Sequence, residues 1–354
     1  MRWLLSLSLL WLVALATMVE AQELPRLPVQ ALAFSDHPET VHQAGQLYSG
    51  GLVPLKPLRF QYYHLSKMPE PARLSLRVYN PGPGQASLSL VSGSGGPSED
   101  YFLAGHRNNV RFLTNLATGY LEPRQIEPGS WLELADHPFP SEKVVSGTAQ
   151  LLQLDGPPLI FGLFALSHPG EQVGMSLQSD PKDVHARGIY PVADQRIERG
   201  YRLGDPALNI AFGAVRQANL WETTELRGDY GVLYRIRLHL QNDTSRPARL
   251  RIEVNPRGGE ATATFWDGTR LLEVANTLAH KLALLGEWIV PPGESTLELL
   301  TLPEGASSYP VRLVVTTSAE GVTQHFSSGN ATRKGSASEL GNSIREPDIR
   351  SVTW

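Results

Sequence analysis

The sequence predicts an all-β fold: two β-sandwich modules in tandem, with a short helix in the first. Three observations carry this expectation. Apolar residues alternate with polar ones at period two in many short runs, the pattern of strands with one buried and one wet face. The 32 Gly and 27 Pro among 354 residues make turns frequent and long helices few. The second half of the chain also repeats the order of the first at a nearly constant spacing.

The elements follow in chain order. Residues 1–21 read as a signal peptide. Arg2 supplies the positive start, Leu4 to Val19 an apolar run, and Val19-Glu20-Ala21 a small-x-small pattern, so Ala21 and Gln22 flank the expected cut. That run is short for a full membrane span, and no second run of spanning length follows, so no transmembrane span is expected after cleavage. The expected location is secreted, periplasmic or cell surface. With no Cys there is neither a lipidation site nor a disulfide, so an exported domain must rely on its cores, a solution commoner in bacteria than in animal extracellular proteins. A hydrophobic fraction of 41% against 19% charged residues can supply such cores. The net charge of −4 gives no general attraction to nucleic acid, which is not expected as a partner.

The first module is expected over 22–168, with the lead before Phe60 supplying early strands. Leu74, Leu76 and Val78 alternate with Arg73, Ser75 and Arg77; after Asn80 and a Pro/Gly turn the alternation resumes with Ala86, Leu88 and Leu90. The glycine cluster 92–96 reads as a loop. Val110, Leu113 and Ala117 at three- and four-residue spacing predict a short helix over 105–119 across one end of the module, with Asn108 or Asn109 as cap and Gly119 as stop. Pro128-Gly129 then turns the chain into a strand bearing Leu132 and Leu134, and the alternating run 148–154 completes the module.

Residues 169–228 are too apolar for a flexible linker and read as a structured connection that supplies the first strands of the second module. In that module, 229–320, Ile236, Leu238 and Leu240 alternate with Arg235, Arg237 and His239, Asn242 opens a turn, and Ala248, Leu250 and Ile252 resume the pattern. From Asn80 to Asn242 the offset is 162 residues. It is 163 from Gly95-Gly96 to Gly258-Gly259 and 164 from Pro128-Gly129 to Pro292-Gly293, a drift that loop insertions explain. Asp267-Gly268 between apolar runs signals a hairpin, 276–286 fits helix and strand equally, and 321–354 reads as a disordered polar tail.

Short strands at turn-bounded intervals, and the phrase PPGES leading into alternating leucines at 291–299, resemble bacterial immunoglobulin-like β-sandwich modules. The resemblance implies architecture and no functional family. The lack of a Cys pair sets it apart from antibody-type domains.

Signatures of chemistry are sparse. The sequence has no Walker loop, no G-x-S-x-G elbow and no H-E-x-x-H. Its ten His residues show no metal-like spacing, His37 and His42 being the nearest pair, so no metal, cofactor or catalytic residue is expected. Arg227-Gly228-Asp229 reads as a turn, and the triplets at Asn242 and Asn330 fit the glycosylation sequon. If the apolar residues of 236–240 and 250–252 point inward, Arg235, Arg237, His239, Arg249 and Arg251 share one wet face of a hairpin. Like charges on neighbouring strands repel by up to about 1 kcal/mol per pair. The cluster therefore needs carboxylates such as Glu253 and Glu298, or a partner such as an anionic polysaccharide or cell-wall polymer. The first copy has Ser75, Ser87 and Ser89 in the corresponding places. Trp131 and Trp266, near strand ends, are candidates for core packing or for stacking on sugar rings. The expected function is a non-catalytic secreted or cell-envelope role in adhesion, envelope structure or glycan binding, with another envelope protein as a further partner class. The alternative is a polysaccharide hydrolase with carboxylates in a cleft between the modules.

Overall fold

Period-two alternation becomes strand throughout the computed structural model, which describes residue 29 and residues 31–318 apart from 70, 120–122 and 222–223. The expected signal peptide with its Ala21–Gln22 cut, and the expected tail with Asn330, lie outside the described residues. The first part of the chain forms β1 (Ala31–Ser35), β2 (Thr40–Val41), β3 (Gly45–Gly51), β4 (Leu58–Ser66), β5 (Arg73–Tyr79) and β6 (Ala86–Ser98). Helix α1 (Tyr101–Thr118) follows, then β7 (Arg124–Ile126), β8 (Trp131–Pro138), β9 (Val144–Asp155), β10 (Ile160–Leu166) and β11 (Arg187–Tyr190). The second part forms β12 (Asp194–Arg202), β13 (Leu208–Phe212), β14 (Arg216–Ala218), β15 (Glu225–Arg227), β16 (Leu233–Asn242) and β17 (Ala248–Pro256). It closes with β18 (Ala261–Trp266), β19 (Leu271–Thr277), β20 (Ala283–Val290), β21 (Gly293–Thr301) and β22 (Val311–Ser318).

These strands build two pairs of facing sheets and a separate two-stranded β14-β15 ribbon. In the first half a sheet ordered β11-β1-β4-β9-β6-β7, with β2 against β4, faces a four-stranded sheet ordered β3-β10-β5-β8. Phe60, Tyr62, Leu88 and Leu151 from one meet Tyr48, Leu74, Leu76 and Phe161 from the other in a single core. In the second half β12-β16-β21-β18-β19 faces β13-β22-β17-β20 across Ile236, Leu238, Phe265, Leu250, Ile252 and Leu313. Within the expected connection, β11 extends the first half beside β1, whereas β12 and β13 join the second half. Residues 278–282 turn before β20, so the segment 276–286 is not helical.

The two halves match at the level of register. Ala86 faces Ile126 as Ala248 faces Val290, and Leu90 faces Leu151 as Ile252 faces Val315. Asn80 Nδ2 donates to the carbonyls of Gly84 (2.8 Å) and Ile126 (2.9 Å) while its Oδ1 accepts the Gly82 N–H (3.0 Å). Asn242 does the same with Arg246 (2.9 Å), Val290 (3.0 Å) and Thr244 (3.1 Å). The side chain substitutes for backbone partners at a place where the chain leaves one sheet and enters the other. That last point corrects the sequence expectation, because β5 and β6, like β16 and β17, lie in facing sheets and are not hairpin partners.

The helix also departs from expectation. It begins at Tyr101, capped by Asp100, whose carboxylate accepts the Leu103 N–H (3.0 Å); Asn108 and Asn109 are buried within it, and Gly119 ends it at φ 65°. The glycine cluster read as a loop is part of β6, and it is glycine because α1 lies on it. A Cβ at Gly93 would stand 2.3 Å from the Phe112 nitrogen, and one at Gly95 would stand 1.9 Å from the Ala104 carbonyl oxygen. Gly95→Ala is therefore expected to lose about 2–3 kcal/mol, read from the urea midpoint. Gly51→Ala, which meets nothing within 4 Å, should stay within about 0.5 kcal/mol.

Rather than crossing one end of the first half, α1 is wedged between the halves. Phe112, Leu113 and Leu116 pack with Val91 of β6 and with Leu233 and Leu302 of the second half. Asn109 Nδ2 donates to the Leu302 carbonyl at 2.8 Å, and Gly105 lies so close to Gly305 that a Cβ would sit 2.1 Å from its oxygen. The seam is further tied by Arg59, fully buried on β4. It donates to the carbonyls of Ala193 (2.5 Å) and Gly231 (3.2 Å), to Gln150 (3.0 Å) and to Asp194 (2.9 Å). Both halves accordingly belong to one compact unit.

Candidate functional site

The five cationic residues do not form one patch. Because β16 and β17 occupy facing sheets, Arg235, Arg237 and His239 lie on one outer surface of the second half, and Arg249 and Arg251 on the opposite one. Each meets a carboxylate: Arg235 and Arg237 share Glu298 (3.6 and 2.7 Å), and His239 approaches Glu198 (3.8 Å). Arg249 and Arg251 share Glu287 (2.5 and 3.5 Å), with Glu253 also 3.0 Å from Arg251. The serines aligned with these positions are buried, Ser75 bonded to Glu133 (2.9 Å) and Ser87 to Asp155 (2.5 Å).

The two tryptophans part company. Trp266 is half-buried, placed in its ladder opposite Leu271 and Leu300, which pack against the α1 cluster. Trp131 opens β8, an edge strand, and is 42% exposed on the outer face of the four-stranded sheet. Register sets Tyr79 directly opposite it, the rings 4.9 Å apart at 31°, and the edge of Phe164 braces the indole at 5.6 Å and 87°. Phe164 can lie across β10 because Gly162 has no side chain there; a Cβ would meet its ring at 2.8 Å. One step along the same face, Arg77 stands opposite Glu133 at 3.6 Å and over Phe164 at 5.9 Å. Ser75 hydroxyl bridges the pair, accepting from Arg77 Nε and donating to Glu133, both at 2.9 Å. The result is a fixed aromatic platform, half open to solvent, with a charged donor and a charged acceptor beside it. Sequence reading found Trp131 but missed Tyr79, Phe164, Arg77 and Glu133, since only the register of β10, β5 and β8 brings them together.

Other titratable clusters lie at the seam and beside β1. At the seam Glu304, fully buried, accepts Thr262 (2.5 Å), Thr264 (2.6 Å) and His106 Nδ1 (3.1 Å), while His106 Nε2 reaches Glu273 at 2.9 Å. Asp194 is held by Arg59 and the Val29 N–H, and Asp229 by Tyr234 (2.6 Å) and the Val215 N–H (3.1 Å). Asp229 is fully buried, so the Arg-Gly-Asp triplet cannot be offered to a receptor. Asn242 is likewise buried. Near β1 a second cluster joins Asp183 to His185 (2.5 Å) and His185 to Glu39 (3.7 Å); the Asp183 hydrogen bond raises the His185 pKa to about 9 against its burial. His37 joins this cluster through Ser179 (3.1 Å) and Asp183 (3.9 Å). His64 and His137 are the reverse case, burial lowering each to about 4. Among the described residues no group of three or more His, Asp or Glu side chains is arranged to hold a metal, and no helix is long and apolar enough to cross a membrane.

No protein-family model matches the sequence, and no curated protein matches it either. Among solved structures the chain aligns with PBSX exported protein XepA at 9% identity, over 78% of this chain and 86% of that one, with a TM-score of 0.17. It aligns with the tandem CBM22-1-CBM22-2 domain of Paenibacillus barcinonensis Xyn10C at 10% identity, over 70% and 78%, with a TM-score of 0.15. A Paenibacillus xanthan lyase aligns at 8% identity over 77% of this chain and 25% of that one, with a TM-score of 0.17. Likenesses this slight carry no argument about function.

Proposed function

We propose that this chain is a non-catalytic, exported polysaccharide-binding protein built from two immunoglobulin-like β-sandwich modules, with the outer face around Trp131 as its binding surface. The observation that carries the reading is the half-exposed indole, braced by Tyr79 and Phe164 and flanked by Arg77 and Glu133. A pyranose ring has an apolar face of C–H groups and a polar rim of hydroxyls. An open aromatic plane receives the first, and neighbouring charged groups hydrogen-bond the second. The face is an outer sheet surface, bordered beside Arg77 by the segment carrying Glu171, whose carbonyl accepts from Arg77 Nη1 at 3.2 Å, and it suits a length of polymer laid across strands. The hydrolase reading draws no support from the seam, where Asp194, Asp229 and Glu304 are each engaged by protein donors.

The test is affinity electrophoresis or calorimetry against a panel of neutral and acidic polysaccharides. Trp131→Ala is expected to weaken binding at least about tenfold, the effect of removing an aromatic anchor, with the melting temperature little changed. Binding untouched by Trp131→Ala but abolished by salt or by Arg237→Ala would move the site to the second half. There Arg196, Arg235 and Arg237 gather around Glu198 and Glu298.

A further inference from the structure

The first half contains a cavity of about 330 Å³ at the open edge between its sheets, beside α1. We infer that it is a second ligand site, independent of the Trp131 face, which takes a small amphipathic carboxylate: an apolar body of about ten non-hydrogen atoms with one anionic end.

The repeat shows how the space arises. Ser92 faces Ala149 across β6 and β9, and the matching pair across β17 and β22 is Val254 and Leu313, both fully buried. Where the second half fills its core with two large side chains, the first has a hydroxymethyl and a methyl. Close packing is the rule for interiors, so a void at one copy of a repeated position is a feature of that copy and not of the fold. At about 30 Å³ per water-sized group, the cavity holds about ten such groups, at the small end of ligand pockets.

Its lining states the chemistry. Leu76, Leu90 and Leu134 give apolar walls. The hydroxyl of Tyr62 is paired with His137 Nε2 at 2.8 Å, so that residue presents ring carbons rather than a free polar group. At the mouth stands Arg111 of α1, exposed, with Nη1 fixed on the Ser94 carbonyl at 2.7 Å. Among the described residues that line the cavity, Arg111 alone carries a formal charge, and no carboxylate opposes it. A carboxylate at the mouth would accept charge-assisted hydrogen bonds from the guanidinium while the chain replaces the missing side chains. A cationic head would be repelled, and a neutral alcohol would gain only the burial.

The experiment titrates the full chain with octanoate, 1-octanol and octyltrimethylammonium, using calorimetry and protein NMR. Saturable octanoate binding is expected, at least tenfold tighter than either analogue. Arg111→Gln should bring octanoate to the level of octanol. Ala149→Leu or Ser92→Val, which restore the second half's residues, should abolish binding while raising or preserving the melting temperature. Two filling variants are named so that one misfolding leaves the other to decide. Absence of octanoate binding, equal affinity for the cationic analogue, or binding that survives a folded filling variant would each overturn the assignment. None of these outcomes bears on the Trp131 face, which lies on the outer surface of the four-stranded sheet, whereas the cavity is walled by that sheet's inner residues Leu76, Leu134 and Ala135.

Discussion

Arg59→Ala lowers the unfolding free energy by about 3–5 kcal/mol, the largest loss expected from any one side chain here. The guanidinium is buried and bonded to two carbonyls, an amide and a carboxylate drawn from both halves. Its removal leaves Asp194 without its cation and the Ala193 and Gly231 carbonyls without a donor, and the cost of unpaired buried groups exceeds the worth of the bonds themselves. Urea unfolding with a constant m-value is the measurement. Arg237→Ala, whose ion pair is exposed, serves as comparison and should leave the urea midpoint essentially unchanged. If the two variants lose equally little, Arg59 does not hold the seam.

The second large effect concerns Glu304 and His106. Glu304→Ala should cost about 3 kcal/mol or more, because Thr262, Thr264 and His106 all lose a buried acceptor. Burial alone would lower the His106 pKa, but the hydrogen bonds and charges of Glu304 and Glu273 outweigh it and raise it to about 9. A histidine held above its unfolded pKa of about 6.5 stabilises the fold fully below that pH and progressively less as pH rises through its folded value. The ring is 15% exposed and Glu273 is 52% exposed, so solvent screening reduces the effect to about 2 kcal/mol. Stability should therefore decline between about pH 6.5 and 9. In Glu304→Gln and in His106→Gln that decline should flatten, which equilibrium unfolding at a series of pH values reads directly. A wild-type profile already flat over this window would remove the linkage.

Particular residues show what the sequence made legible. Leu74, Leu76 and Val78, and their counterparts Ile236, Leu238 and Leu240, were identifiable as inward strand faces because a side-chain period of two leaves no other way to bury them. The all-β character was legible for the same reason, and Asn80 and Asn242 hold matching turns. Which sheet a strand enters was not legible. Alternation fixes the buried side but not the neighbour, so by itself it places Arg249 and Arg251 on the wrong surface. The outer face of β4 and β9 was hidden too. Arg59, Gln61, Thr148 and Gln150 alternate with apolar residues like any wet face, yet all four are buried, Arg59 against the second half and Thr148 beneath α1, where Asn108 Nδ2 donates to its hydroxyl. Asp100 caps α1, a signal hard to read in the sequence because the apolar spacing of the helix is clearest only after Val110. At the candidate site Trp131 was visible as a lone aromatic, whereas its support depends on register across three strands.

One difference between the halves bears on assembly. Between β6 and β7 the chain inserts α1, and at the matching place, between β17 and β20, it inserts the hairpin β18–β19. Were the inserts alike, each copy would present the same donor surface and the same acceptor surface. A head-to-tail contact of that kind either closes into a ring or grows into a filament. With a helix in one half and a hairpin in the other, the surface by which the first half meets the second is one that the second half does not itself repeat.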